Sequence, residues 1–141
     1  MNNPIIIAVD AMGGDDSPKK IIEGISLHSK SSKDVSYKIF GDKNLINPIM
    51  LKNKLSGEKF NIVHTDKIVE GEDSALKAAK SGKDTSLWLA IESLKKNEAH
   101  AIVSAGNTGA LFVIAKLNLK MINNIDKPAL SALWPNKNGM N

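Results

Sequence analysis

Two short segments hold the residue types best suited to chemistry. The first reads AVDAMGGDDSP, with Asp10 followed by Gly13, Gly14, Asp15 and Asp16. Carboxylates orient reacting groups or take their protons. Adjacent glycines permit backbone angles that other residues resist, and they expose amides to a ligand. The helix expected after Pro18 adds a natural anion site at its N-terminus. Three carboxylates would repel a phosphate unless one is a base, one caps a helix or a cation intervenes. A turn followed by a capped helix explains the same residues without a ligand. The second segment is SAGNTGA, residues 104–110, where Gly106 and Gly109 bracket Asn107 and Thr108. Hydroxyls, an amide and backbone N–H groups meet there with no competing carboxylate, which suits a phosphate cradle, with Ser104 at its entrance. Helix capping and a tight turn are the plain alternative.

Other candidates are weaker. The glycine spacing of neither segment is that of the dinucleotide fingerprint, and SGKDTS is not a Walker A loop. Lys77, Lys80 and Lys83 recur at spacing of three, along one side of a helix and its C-terminal turn. They would bind phosphate or an acidic partner, or form a solvated face. His64 ends an apolar run and could face a cleft. His28 and His100 fall at element ends, and the three histidines show no metal-ligand spacing. Trp88 and Trp134 read as packing residues.

Short apolar runs alternate with segments of helical period, and these elements must position the two loops. Residues 5–9, 37–40, 60–64 and 101–104 read as strands, and 129–133 as a fifth. Residues 18–29 read as a helix with Ile21, Ile22 and Ile25 on one face and Ser17 able to cap it. Further helices are expected over 45–55, with Pro48 in the first turn, and over 74–80. Leu87, Ala90, Ile91 and Leu94 mark another behind a GKDTS turn, and 110–119 the last. Alternation of this kind predicts a parallel sheet with helices on its faces. In open sheets of this class ligands gather at the carboxyl ends of strands, where both candidate loops lie. The pattern is expected to continue past WPNKNG with another helix or strand.

The chain has 141 residues, enough for one core, and its 42% apolar and 24% charged residues are ordinary for a globular protein. No run is long enough to span a membrane and no secretory signal opens the chain, so a cytoplasmic location is expected. Cysteine is absent, which removes disulfides, thiolate catalysis and cysteine-ligated metals. The net charge of +4 comes entirely from lysine, since arginine is missing. Such an excess makes a solvated surface, or attracts an acidic partner or an anionic membrane surface. Nothing in the chain resembles a nucleic-acid-binding motif.

AVDAMGGDDSP, IFGD, GKDTS, IVSAGNTGAL and IDKPAL, in that order, closely resemble the N-terminal part of the bacterial phosphate acyltransferase family, PlsX. The resemblance implies a three-layer α/β/α sandwich related to phosphate acetyltransferases and isopropylmalate dehydrogenases, with residues 1–141 the N-terminal part of one such domain. It implies transfer of a fatty acyl group from acyl carrier protein to inorganic phosphate, giving acyl phosphate for phospholipid synthesis. No cofactor or metal is implied. A homodimer is, cytoplasmic and peripheral to the membrane. On this reading Gly13, Gly14, Ser104, Gly106, Asn107 and Thr108 bind substrate, Asp10 and Asp15 orient groups or move protons, and Lys83 supplies positive charge. The chain departs from the family at Asp16, where a histidine is frequent, at Lys77 in place of arginine, and at Thr85 in place of serine. It also matches less than half of the family's length. Two readings follow: part of an active acyltransferase, whether expressed alone or completed by another chain, or a non-catalytic remnant that binds phosphate or a partner.

Overall fold

The first apolar run forms β1 (Ile5–Asp10), which sinks from an exposed Ile5 to a fully buried Ala8, Val9 and Asp10. In this computed structural model residues 4–133, 135–136 and 139–140 are described, with side chains for 4–133. The other main strands are β2 (Val35–Gly41), β3 (Phe60–His64) and β4 (Ala101–Val103). All four run parallel in the order β3-β2-β1-β4. Ile7 pairs with Tyr37 on one side and Ala101 on the other, so β1 is central.

The helices among the described residues are α1 (Lys19–Ser31), α2 (Lys43–Lys52), α3 (Ala75–Ser81), α4 (Ser86–Lys95) and α5 (Thr108–Asn118). Neighbouring strand residues point to opposite faces, and each face has its own helices. Val9 and Ile39 meet Ile22 and Ile25 of α1 and Ile46 and Met50 of α2. Ala8 and Phe40 meet Ala90 of α4 on the other face. Beyond α4, the helices α3 and α5 join through Ala78, Leu87, Ile91, Ala110 and Ile114. The expected α/β/α sandwich with a parallel sheet is therefore present.

Most helix starts follow local chemistry. Asp42 accepts from the Asn44 amide at 2.8 Å, Thr85 from Trp88 at 3.3 Å and Asn107 from Ala110 at 2.9 Å. Ser17 does not cap α1: its hydroxyl donates to the Gly13 carbonyl at 2.6 Å, and Pro18 opens the helix without a side-chain cap. Pro48 lies in the second turn of α2, because the Asp42 cap starts that helix at Lys43. The expected strand over 129–133 does not form. A strand needs a ladder partner, and none is paired there among the described residues; Pro128, Ala129 and Leu130 line an open apolar groove with Phe112 of α5. Two short strands, β5 (Pro135–Asn136) and β6 (Gly139–Met140), pair antiparallel. The packing expected of Trp134 lies outside the described residues, while Trp88 packs beside the α3–α4–α5 cluster.

Candidate functional site

From β1 the chain winds outward through β2 and β3, then returns to lay β4 on the opposite side of β1. The loops leaving β1 and β4 therefore flank a topological switch point, the place where open α/β sheets bind ligands. The two backbones touch there. A Cβ on Gly13 would stand 2.9 Å from the Gly106 amide nitrogen and 2.6 Å from an Asp10 carboxylate oxygen. Gly14 has φ of +91°, and a Cβ on it would meet the Ala105 carbonyl oxygen at 2.6 Å. Only glycine permits this approach.

Asp10 holds the junction from beneath. It is 2% exposed, and its carboxylate accepts from the Ser104 hydroxyl at 2.7 Å and from the Met12 amide at 3.2 Å. Ser104 in turn accepts from the Gly106 amide at 3.2 Å. One buried carboxylate thus fixes both loops. The second loop, read from sequence as free of carboxylates, receives one from β1, 94 positions away in the chain.

Beside the junction lies an open cleft of about 520 Å³. Gly14, Asp15 and Asp16 form one side, and Ala105, Gly106 and Asn107 another. The far wall is the stretch Ile68, Val69, Glu70 and Gly71 from the loop after β3. Asp15 and Asp16 are exposed on the lip, where Asp16 pairs with Lys20 at 3.1 Å.

The wall is held by its own bonds. Asp73 accepts from the Glu70 amide and from the Lys77 ammonium. That ammonium bond keeps the Asp73 carboxyl below the usual carboxylate range, and Asp73 raises Lys77 reciprocally. Asn107 reaches across from the other loop, donating to the Gly71 carbonyl at 3.0 Å and the Asp73 carbonyl at 2.8 Å. Farther along, Thr65 donates to the Asp84 carbonyl at 2.6 Å and fixes the α3–α4 turn beside the end of β3.

The fatty acid synthesis protein family matches residues 5–141. The chain belongs to this family. Among curated relatives, the phosphate acyltransferase of Pelagibacter ubique is 60% identical over 140 residues, which is 99% of this chain and 41% of that protein. The phosphate acyltransferases of Rhodospirillum rubrum and Parvibaculum lavamentivorans are 42% and 43% identical over 99% of the chain, covering 40% and 39% of their own lengths. The chain thus spans about two fifths of the relatives it matches.

Within this member of the fatty acid synthesis protein family, the structure brings together Asp10, Gly13, Gly14, Asp15, Ser104, Gly106 and Asn107. Thr108 and Gly109 open α5 just beyond the cleft, and their amides make no hydrogen bond among the described residues. Lys83 stands exposed in the α3–α4 turn, outside the cleft lining. Lys77 is turned onto Asp73. His64 accepts from the Lys43 amide at 3.1 Å, at the start of α2. Sequence reasoning missed the wall at 68–71 and Asp73. Their signal was position alone: EGEDS follows the end of a parallel strand, on the side of the sheet where loops meet ligands. Among the described residues no His, Asp and Glu cluster could hold a metal, and no helix is long and apolar enough to cross a membrane.

Proposed function

We propose that this chain supplies the phosphate-binding part of an enzyme that moves a fatty acyl group from acyl carrier protein to inorganic phosphate. The observation that carries the reading is the glycine junction at the switch point: Gly13 against Gly106, opening onto a cleft, in a chain 60% identical to a phosphate acyltransferase. Backbone amides at such a junction, with the unpaired amides that start α5, suit an anion better than lone side chains do.

In the proposed reaction a phosphate oxygen attacks the thioester carbonyl. A carbon–oxygen bond forms, the carbon–sulfur bond breaks, and the carrier thiol leaves with a proton. Asp15, on the cleft lip, orients phosphate or takes its proton. Asp10 acts from beneath: through Ser104 and Met12 it fixes the amides that face the developing oxyanion, which is most effective when those donors are held in advance. Gly13, Gly14, Gly106 and Thr108 contribute backbone. Lys80 and Lys83, exposed at the end of α3 and in the turn after it, add positive charge suited to an acidic carrier protein. The homodimer, the cytoplasmic location and the contact with membrane lipid belong to the same proposal, and no cofactor is called for.

The test is a chimera in which residues 1–141 replace the matching part of the Pelagibacter ubique relative. It is assayed for acyl phosphate from acyl carrier protein and inorganic phosphate. Formation that saturates with phosphate and falls with Asp15→Ala is expected. A folded chimera that makes none would overturn the reading and favour a non-catalytic remnant.

A further inference from the structure

We propose that Asn107 is a positioning residue that sets the far wall of the cleft rather than a group that binds substrate. The inference rests on the phosphate acyltransferase reading for its kinetic consequence, but not for its structural one. Every strong bond its side chain offers is used internally. The oxygen accepts from the Ala110 amide at 2.9 Å and caps α5. The amide nitrogen has two hydrogens, and both go to carbonyls of the wall segment, those of Gly71 and Asp73. No donor remains for a phosphate.

The consequence lies in what the two carbonyls belong to. Ile68, Val69, Glu70 and Gly71 form one side of the cleft, and this stretch carries no strand or helix of its own. Val69 packs against the α3–α4–α5 cluster, and the side-chain hydrogen bonds that join the segment to the β4 exit loop come from Asn107. The same side chain fixes the start of α5. It therefore locks three parts at one distance: the β4 exit loop, the first turn of α5 and the wall. Cleft width follows from that lock. A loop with one packed side chain, Val69, and few hydrogen bonds opens locally without global unfolding.

Two substitutions separate capping from clamping. Asn107→Asp keeps the cap acceptor and places a charge favourably at a helix N-terminus, but presents oxygen to the two wall carbonyls. Asn107→Ser also caps, yet is too short to reach them. Hydrogen exchange is measured over residues 68–73 in the 141-residue chain. Both variants are expected to exchange there roughly tenfold faster or more, as loss of two hydrogen bonds implies, while β1, β2 and β3 stay protected. In the chimera, the Michaelis constant for inorganic phosphate should rise about tenfold with a much smaller change in kcat, because the captured geometry loosens while the reacting groups remain.

Unchanged exchange over 68–73 in the two variants would overturn the clamp. So would a rise shared equally with the three strands, since that marks a purely structural role. A loosened wall with an unchanged phosphate Michaelis constant would overturn its part in positioning. An unsubstituted chimera without acyltransferase activity would instead strike the functional reading, and exchange alone would then decide the clamp.

Discussion

Asp10 shows how one buried residue can hold two loops together. Its carboxylate is buried, with the Ser104 hydroxyl on one oxygen and the Met12 amide on the other. Asp10→Ala should cost about 1.5–3 kcal/mol for each of these charge-assisted bonds, before any coupling. Asp10→Asn should cost less. Its oxygen can still accept from Met12, and the Ser104 hydroxyl can rotate to accept from the new amide. Urea unfolding of the two variants checks this order. Equal destabilisation would mean that the acceptor role of Asp10 is not what holds the loops. The neighbouring glycines fit the same logic: Gly13 leaves room for the Asp10 oxygen 2.6 Å from where a Cβ would sit, so carboxylate and close approach are one device.

Among the elements, the wall at 68–73 carries a pH dependence whose sign follows from its ion pair. The Lys77 ammonium holds Asp73 below the usual carboxylate range. A depressed folded pKa contributes stability above the unfolded value and loses it as pH falls through the folded one. Lys38 lowers Glu98 in the same direction, at the start of β4. Stability should therefore decline as pH drops below about 4, and Asp73→Asn should flatten that decline without removing it, since Glu98 remains. Urea midpoints across the acid range give the measurement, and an unaltered slope would show that the pair contributes nothing. Lys77 is exposed to solvent, so the effect should also weaken with salt. Asp73 was not visible in the sequence as a site residue, and the reason is general. The strands announced themselves as apolar runs, and the caps Asp42, Ser74 and Thr85 stood where local chemistry needs them. Local patterns also marked Gly13, Gly14, Gly106 and Asn107 as loop residues. What they could not give was partnership: Asn107 with carbonyls 34 and 36 positions upstream, Ser104 with a carboxylate 94 upstream. The fifth strand failed for a like reason, because an apolar run at 129–133 becomes a strand only when a neighbour offers a ladder.

For the whole molecule, the unequal edges of the sheet decide what the chain can do by itself. Among the described residues β4 pairs with β1 on one side only, and its Val103 is 52% exposed. Beside it an apolar groove of about 290 Å³ runs between α1 and the sheet, floored by Ile7, Val9 and Val103. After α5 the apolar side chains Ile122 and Leu130 are 78% and 71% exposed. The groove and Leu130 adjoin β4 through Val103 and Ile102, and more than half the length of the relatives has no counterpart in this chain. Further polypeptide against β4 would cover the apolar surface and close the open side of the site at once. The 141-residue chain alone should therefore bind an exposed-surface dye, self-associate as its concentration rises, and form little or no acyl phosphate. Sedimentation velocity reads the first consequence of the open edge, and an acyl phosphate assay the second. In the chimera both should reverse together, with dye binding lost and activity gained, because one surface governs both. A monomeric 141-residue chain turning over at about 1 per second or faster, within the ordinary range for enzymes, would break that link. The positioned groups that supply much of an enzyme's rate would then all lie between β1 and α5, and whatever covers β4 would serve association alone.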